Sequence, residues 1–363
     1  MTAPTHLLQD ILRQPEEMAR TIDYLVGPGQ DALHRASSLI CSARHVFVTG
    51  IGASWHAAMS AGSLAELAGH PVYLQEAAEL LYFTDIPRGA VVVALSRSGR
   101  STEIVQLLAK AQASGATVIG ITNVVDSPLA RESAIALAIS AKLDHAISVN
   151  TYSTLLIGAA ALTSSVTTDF SAVAPLLLHA VREAGQRLES WQAQIKESSW
   201  PIGGAPYYFL GRGGSLGSCH EGRLLWEEGV KMPATAMSSS NFRHGPQEIV
   251  RQGMRFCIWI DQSRMRDEDL AVAHDLRILG ASVMLIGEKL APDAADLVCQ
   301  LPNSPPGWQF VIDVLPVQIA AEHLSRSVGV DCDSFRVCSY VVEDEHGLLR
   351  KRTGAGQDRP PKS

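Results

Sequence analysis

The chain has 363 residues, long enough to bury a large core and to form two domains or one two-lobed unit. At 46% hydrophobic and 18% charged residues its composition is that of a folded globular protein, which excludes a disordered or fibrous chain. The net charge of -7 argues against a nucleic-acid partner, whose phosphate backbone needs a positive face.

The amino terminus, MTAPTHLLQDILRQPEEM, has no basic stretch followed by an apolar core, so it does not read as a signal peptide. No apolar run reaches membrane-spanning length, and a cytoplasmic protein without a membrane partner is expected. A helical segment over 1–30 is followed by the strand-like HVFVTG (45–50), the turn Gly52-Ala53-Ser54 and the helix-like WHAAMSAGSLAELAG. The strand-like GAVVVALSRSG (89–99) then leads into STEIVQLLAKAQASG and the strand ATVIGITN. After a join near 170–201 the pattern returns: PYYFLG (206–211), Gly213-Gly214-Ser215 and LGSCHEGRLLWEEG, then GMRFCIWIDQS (253–263), DEDLAVAHDLRILG and ASVMLIGE. Short continuous apolar runs alternating with longer helical stretches mark a parallel sheet covered by helices. The expected fold is therefore α/β, two doubly wound parallel-sheet domains in tandem behind a helical amino-terminal segment. Boundaries are expected at 1–30, 31–185, 186–342 and a polar tail at 343–363. The six cysteines are scattered without a Cys-x-x-Cys pair and read as small apolar residues in a reducing compartment, with no metal and no cofactor expected.

The repeat is lopsided at one turn. ALSRSGRSTEI (94–104) crowds Ser96, Ser98, Ser101 and Thr102 around Gly99, directly after an apolar strand. In open α/β sheets ligands sit beyond the carboxyl ends of strands, where helix amino termini aim free N–H groups outward. Hydroxyls added there suit a phosphate monoester, whereas helix capping alone explains one or two of them. No G-x-x-x-x-G-K-[ST] is present, and Gly50-Ile51-Gly52 does not complete a dinucleotide fingerprint. The second half has Asp261-Gln262-Ser263-Arg264 at the matching place, where the aspartate would repel a phosphate. Phosphate binding is thus expected of the first half only.

VTGIGASWHA, ALSRSGRSTEI, GRGGSLGSCHEGRLLWEEG and FRHGPQEIV, in this order, resemble the paired sugar-isomerase (SIS) domains of glucosamine-6-phosphate synthase over the chain up to about Val342. The resemblance implies a phosphosugar ligand, a dimer with shared active sites, and enediol chemistry without metal or nucleotide. It places the proton-shuttling base on Glu228, seven residues after Glu221 in one helix, and the ring-opening imidazole on His244. A carboxylate suits that shuttle because partial desolvation raises its pKa toward neutrality, and an imidazole exchanges protons near neutral pH. The phosphate falls to Ser96, Ser98, Ser101 and the Arg97 backbone, where the family has glutamine at Arg97. An arginine there would add charge to the phosphate site or accept an extra acidic group on the substrate. Gly52, Ser54, Val149 and Thr151 are expected to line the sugar, whereas His56 reads as a packed helix residue and Glu227 as a solvated charge.

Two departures from the family stand out. The chain enters the isomerase pattern without a glutaminase nucleophile, so glutamine hydrolysis is not expected. Cys338 falls where the synthase has its Schiff-base lysine, and Lys351 lies thirteen residues later, so no covalent ketose intermediate is expected. Glu228, His244 and the serine turn suffice for aldose–ketose isomerisation, for deamination of an amino-sugar phosphate, or for deglycation of a fructosamine phosphate. The deaminase/isomerase reading ranks first and the deglycase second. A non-catalytic phosphosugar sensor is the alternative from another class, and no effector domain accompanies the pattern.

Overall fold

Uninterrupted apolar strands have no polar side to show, so both of their faces must be covered by helices. In the computed structural model, which describes residues 4–166, 168–344 and 348, two parallel five-stranded sheets meet this demand. The first contains β1 (Val46–Thr49), β2 (Tyr73–Leu74), β3 (Val91–Ser96), β4 (Thr117–Thr122) and β5 (Ile135–Ala138). The second contains β6 (Tyr207–Gly211), β7 (Ala234–Ser238), β8 (Arg255–Trp259), β9 (Ser282–Glu288) and β10 (Leu297–Leu301). Their orders, β2-β1-β3-β4-β5 and β7-β6-β8-β9-β10, are the same doubly wound arrangement. All six residues of β3 are buried, and it pairs with β1 from Val46↔Val91 to Thr49↔Ala94.

The first lobe carries α1 (His6–Val26), α2 (Gln30–Ser42), α3 (Ala53–Leu67), α4 (Ala77–Phe83), α5 (Thr102–Ser114), α6 (Pro128–Glu132) and α7 (Asn150–Ser164). Then come α8 (Phe170–Glu197), α9 (Ser215–Leu225), α10 (Ser239–Arg243), α11 (Arg266–Ile278) and α12 (Leu315–Ser327). The 185/186 position lies within α8, a single helix of 28 residues. One buried apolar cluster runs from the inner face of one sheet through α1, α3, α7, α8, α9 and α12 to the inner face of the other. Separate clusters fill the outer face of each sheet. The amino-terminal helix α1 is part of this shared core. Gln14 on it accepts from Ser153 Oγ of α7 at 2.6 Å and donates to Gln318 of α12, tying it to both lobes.

At the join of first strand and first helix the two lobes obey the same steric rule. A Cβ on Gly50 would lie 2.7 Å from backbone atoms of Ser54, and one on Gly211 would lie 2.7 Å from the Ser215 carbonyl. Only glycine lets the following helix start so close to the strand end. Four cysteines are buried, Cys41 and Cys338 are exposed, and all six are free. Lys351 and most of the 343–363 tail lie outside the described residues.

Candidate active site

The order of the first sheet reverses between β1 and β3, so a ligand crevice is expected where these strands end. The serine turn is there. It leaves β3 at Ser96 and enters α5 at Thr102. Gly99 makes the turn at φ +61°, and a Cβ there would lie 2.2 Å from Ser127 Oγ. Ser96 Oγ accepts from Gly99 N at 3.0 Å, and Ser98 Oγ accepts from Arg100 N at 3.2 Å. Ser101 occupies the N-cap of α5 yet makes no side-chain capping bond, so capping does not account for it. A cavity of about 220 Å³ opens over this turn, lined by Gly52, Ser54, Ser96, Arg97, Ser98, Ser101 and Glu228 among others.

Glu228 reaches this cavity because of how its helix ends. After Leu225 the helix widens into a π turn, Trp226–Val230. Trp226 is fully buried among Tyr207 and Phe209, with ring centroids 5.0 and 5.1 Å away, and so pins the widened turn to β6. Glu228 is half-buried; desolvation, reinforced by the nearby Glu221, pushes its carboxyl up to about 7 against the pull of Arg97 and Lys231. Such a carboxyl can both take and return a proton at neutral pH. Glu221 is fully buried and lies 2.8 Å from His56 Nδ1 of α3. Burial pushes Glu221 up to about 8 and His56 down to about 3. Burial thus disfavours the charged form of both partners in this contact.

The stretch 335–342 covers the same cavity, contributing Phe335, Cys338, Ser339, Tyr340, Val341 and Val342. Thr102 N, a free donor at the α5 amino terminus, donates to the Val342 carbonyl at 3.1 Å. The Arg97 guanidinium stacks 4.1 Å from the Tyr340 ring centre and donates to the Tyr340 carbonyl. The Tyr340 hydroxyl donates to the Asp144 carbonyl at 3.1 Å.

Comparison with known proteins agrees with this geometry. Residues 39–164 match the family model described as SIS domain. The match falls within the first lobe. Across both lobes, the chain is 29% identical to a glutamine–fructose-6-phosphate aminotransferase (isomerizing) of Aeropyrum pernix, covering 94% of this chain and 58% of that protein. It is 26% identical to the same-named protein of Pyrobaculum aerophilum, with the same coverage. The chain thus spans a little over half the length of these relatives. Among solved structures, the C-terminal domain of glucosamine-fructose-6-phosphate aminotransferase from Francisella tularensis superposes with a TM-score of 0.80 at 23% identity, covering 91% of this chain and 98% of that one. Glucosamine-6-phosphate deaminase from Thermotoga maritima gives 0.77 at 20% identity, covering 93% and 99%. Tagatose-6-phosphate ketose/aldose isomerase from Escherichia coli gives 0.76 at 19%, covering 91% and 94%. At these identities the superpositions establish the fold, two doubly wound α/β lobes.

The fold brings most, not all, of the expected residues together. Val149 is fully buried at the N-cap of α7, and Thr151 Oγ1 bonds to the buried Asp144 carboxylate and to Ser148 Oγ, so Ser148 is the residue of this stretch that lines the cavity. His244 is exposed after α10 and lines neither this cavity nor its neighbour. In the second lobe Asp261 Oδ2 accepts from Ser263 N and Met265 N at 3.1 and 3.0 Å, so the carboxylate itself fills the turn that Ser96–Ser101 keeps open in the first lobe. Tyr340 and Lys231 were not singled out from the sequence. A lysine two residues after Glu227-Glu228-Gly229 was the one available signal for the second.

Proposed function

We propose that the protein is a sugar-phosphate isomerase-type enzyme acting on an amino-sugar or ketose 6-phosphate, of the glucosamine 6-phosphate deaminase/isomerase kind. One observation carries the reading: a carboxyl poised near pH 7 and an anion turn of three serines line a single cavity. In this reading Ser96, Ser98 and Ser101 and the α5 amino terminus hold the phosphate, and Gly52, Ser54 and Ser148 border the sugar. Glu228 takes a proton from one of C1 and C2 and returns it to the other. His244 opens the ring. Its exposure away from the Glu228 cavity supports delivery from a second copy of the chain, so the working unit is a homodimer with shared sites.

The test is incubation of the purified protein with glucosamine 6-phosphate, reading ammonia and fructose 6-phosphate together. Release of both in equal amounts supports the deaminase reading. Interconversion of ketose and aldose phosphates without ammonia leaves the isomerase. Sugar phosphates that raise the melting temperature but are never turned over would replace the enzyme by a phosphosugar sensor.

A further inference from the structure

Lys231 ends the π turn. Its backbone N–H closes the turn onto the Trp226 carbonyl, and its φ of +59° is left-handed. Helices commonly end on such a residue, but it is ordinarily glycine or asparagine, because a larger side chain strains that conformation. If the position had only to stop the helix, lysine would be a poor occupant. Its use lies in the side chain. The ammonium turns back and donates to the carbonyl of Glu228, one of the last-turn carbonyls that a helix end leaves without an internal partner. It also donates to the Ser334 carbonyl at 2.9 Å, 103 positions away.

Ser334 is where the covering stretch 335–342 begins. The residues just before it are tied down. Asp333 accepts from His6 N and Leu7 N at the start of α1, both at 2.8 Å, and Asp331 accepts from Asp333 N at 2.8 Å. From Phe335 to Val342 no helix or strand forms, so the place of this stretch depends on what reaches it from elsewhere. Its far end is held by Arg97 and Thr102, which donate to the Tyr340 and Val342 carbonyls. Its root is held by Lys231, whose ammonium also lies 6.0 Å from the Phe335 ring centre. Phe335 and Cys338 border both the cavity over the serine turn and a second one of about 430 Å³ beside it, and Glu228 stands in the wall of each.

We propose that Lys231 is a positioning residue, which clasps the root of the 335–342 stretch to the turn that carries Glu228 so that base and cover form one unit. The proposal rests on the phosphosugar reading above for the step it serves, proton transfer at Glu228. The lysine touches no reacting atom. It fixes the Glu228 backbone and the Phe335 wall at one point, and a π turn, which departs from regular helix, has few bonds of its own to do so. Its charge acts too. Burial first, then Glu221 and Glu227, raise the Glu228 carboxyl, while Arg97 and Lys231 pull it down. From the covering stretch Cys338 and Arg336 face the same space.

The test compares Lys231→Gly, Lys231→Met and Lys231→Arg with wild type, all as the full chain. Glycine suits the left-handed φ, so that variant keeps the turn and loses only the clasp; arginine keeps a charged donor. The first readout needs no substrate. Arg336 is exposed at the root of the stretch, and trypsin cuts after it at a rate set by how often the stretch leaves its place. Intact mass identifies that cut by the loss of residues 337–363. Lys231→Gly and Lys231→Met should be cut there at least about fivefold faster than wild type, and Lys231→Arg at close to the wild-type rate. The second readout is turnover of glucosamine 6-phosphate. Loss of the clasp should lower kcat about tenfold or more and leave KM within about threefold, because the serine turn is untouched. The rising limb of kcat/KM should also move to higher pH, since a positive charge that favours the Glu228 carboxylate is gone, and Lys231→Arg should restore it. Unchanged cutting at Arg336 in the glycine and methionine variants overturns the clasp. Faster cutting with kcat and the pH limb unchanged reduces Lys231 to a structural contact and overturns the proposal as well. If wild type turns over no sugar phosphate, the phosphosugar reading fails and the cutting rates still decide the clasp.

Discussion

Glu228 shows how much one side chain's surroundings decide. On an exposed helix it would be an ordinary carboxylate; half-buried beside Glu221, its carboxyl titrates at about 7. The base form then predominates only above that value, so kcat/KM should rise with pH through about 7, and a flat pH–rate profile from 5.5 to 8.5 would contradict the assignment. Glu228→Gln keeps shape and hydrogen-bonding reach but cannot take a proton, so turnover should fall by ~10²–10⁴ while sugar-phosphate affinity stays within about tenfold. Cys338→Ala should leave kcat nearly untouched. Glu221 gives a stability test. Its folded pKa is raised to about 8 by burial, so the folded state holds a proton that the unfolded chain releases above its ordinary carboxyl pKa. The stability from this group is full in acid and is lost as pH rises through about 8. Melting curves of Glu221→Gln should therefore fall less steeply than wild type between pH 5 and 8.

At the level of elements, the stretch 335–342 lies over the anion turn as a strap. The Val342 carbonyl takes the Thr102 N–H that a phosphate oxygen would use, and Tyr340 holds Arg97. A ligand that needs that donor must move the strap, and apparent affinity is reduced by the fraction of chains in which it is closed. Tyr340→Ala should accordingly tighten inorganic phosphate binding severalfold; weaker binding would mean that the strap forms part of the phosphate site. The lobes meet through another close approach. A Cβ at Gly217 of α9 would lie 2.1 Å from Ser60 Oγ and 2.4 Å from the His56 carbonyl of α3. The backbone atom cannot rotate away. Gly217→Ala should cost about 1–3 kcal/mol by overpacking, read as a lower melting temperature, and should disturb the His56–Glu221 contact as well.

For the whole molecule the open matter is assembly. The cavity holds the serine turn and Glu228, while His244 is exposed elsewhere on the same chain. If two copies share their sites, mixing a Ser98→Asp chain with a His244→Ala chain should restore part of the activity that each has lost, because one of the two composite sites is then intact. Heterodimers that form without any recovery would place ring opening within a single chain. No helix among the described residues is long and apolar enough to cross a membrane.

The amino-acid pattern by itself determined the two doubly wound lobes. Buried parallel strands are continuous apolar runs, and the spacing of their helices repeats from the first half to the second. It also determined the serine turn, because hydroxyls after a strand and before a helix are a local arrangement, and the loss of that turn around Asp261. Tertiary structure decided the rest. His56 read as packing, and it is buried, but its contact with Glu221 spans 165 positions and depends on α3 meeting α9. The π turn that carries Glu228 packs its Trp226 into an aromatic cluster that no helical period reveals. Thr151 looks free in the sequence and is bound by Asp144 in the fold. The strap reaches Arg97 from 243 residues away. Periodicity records which face of an element is buried; which distant groups meet there is set by how the two lobes close on each other.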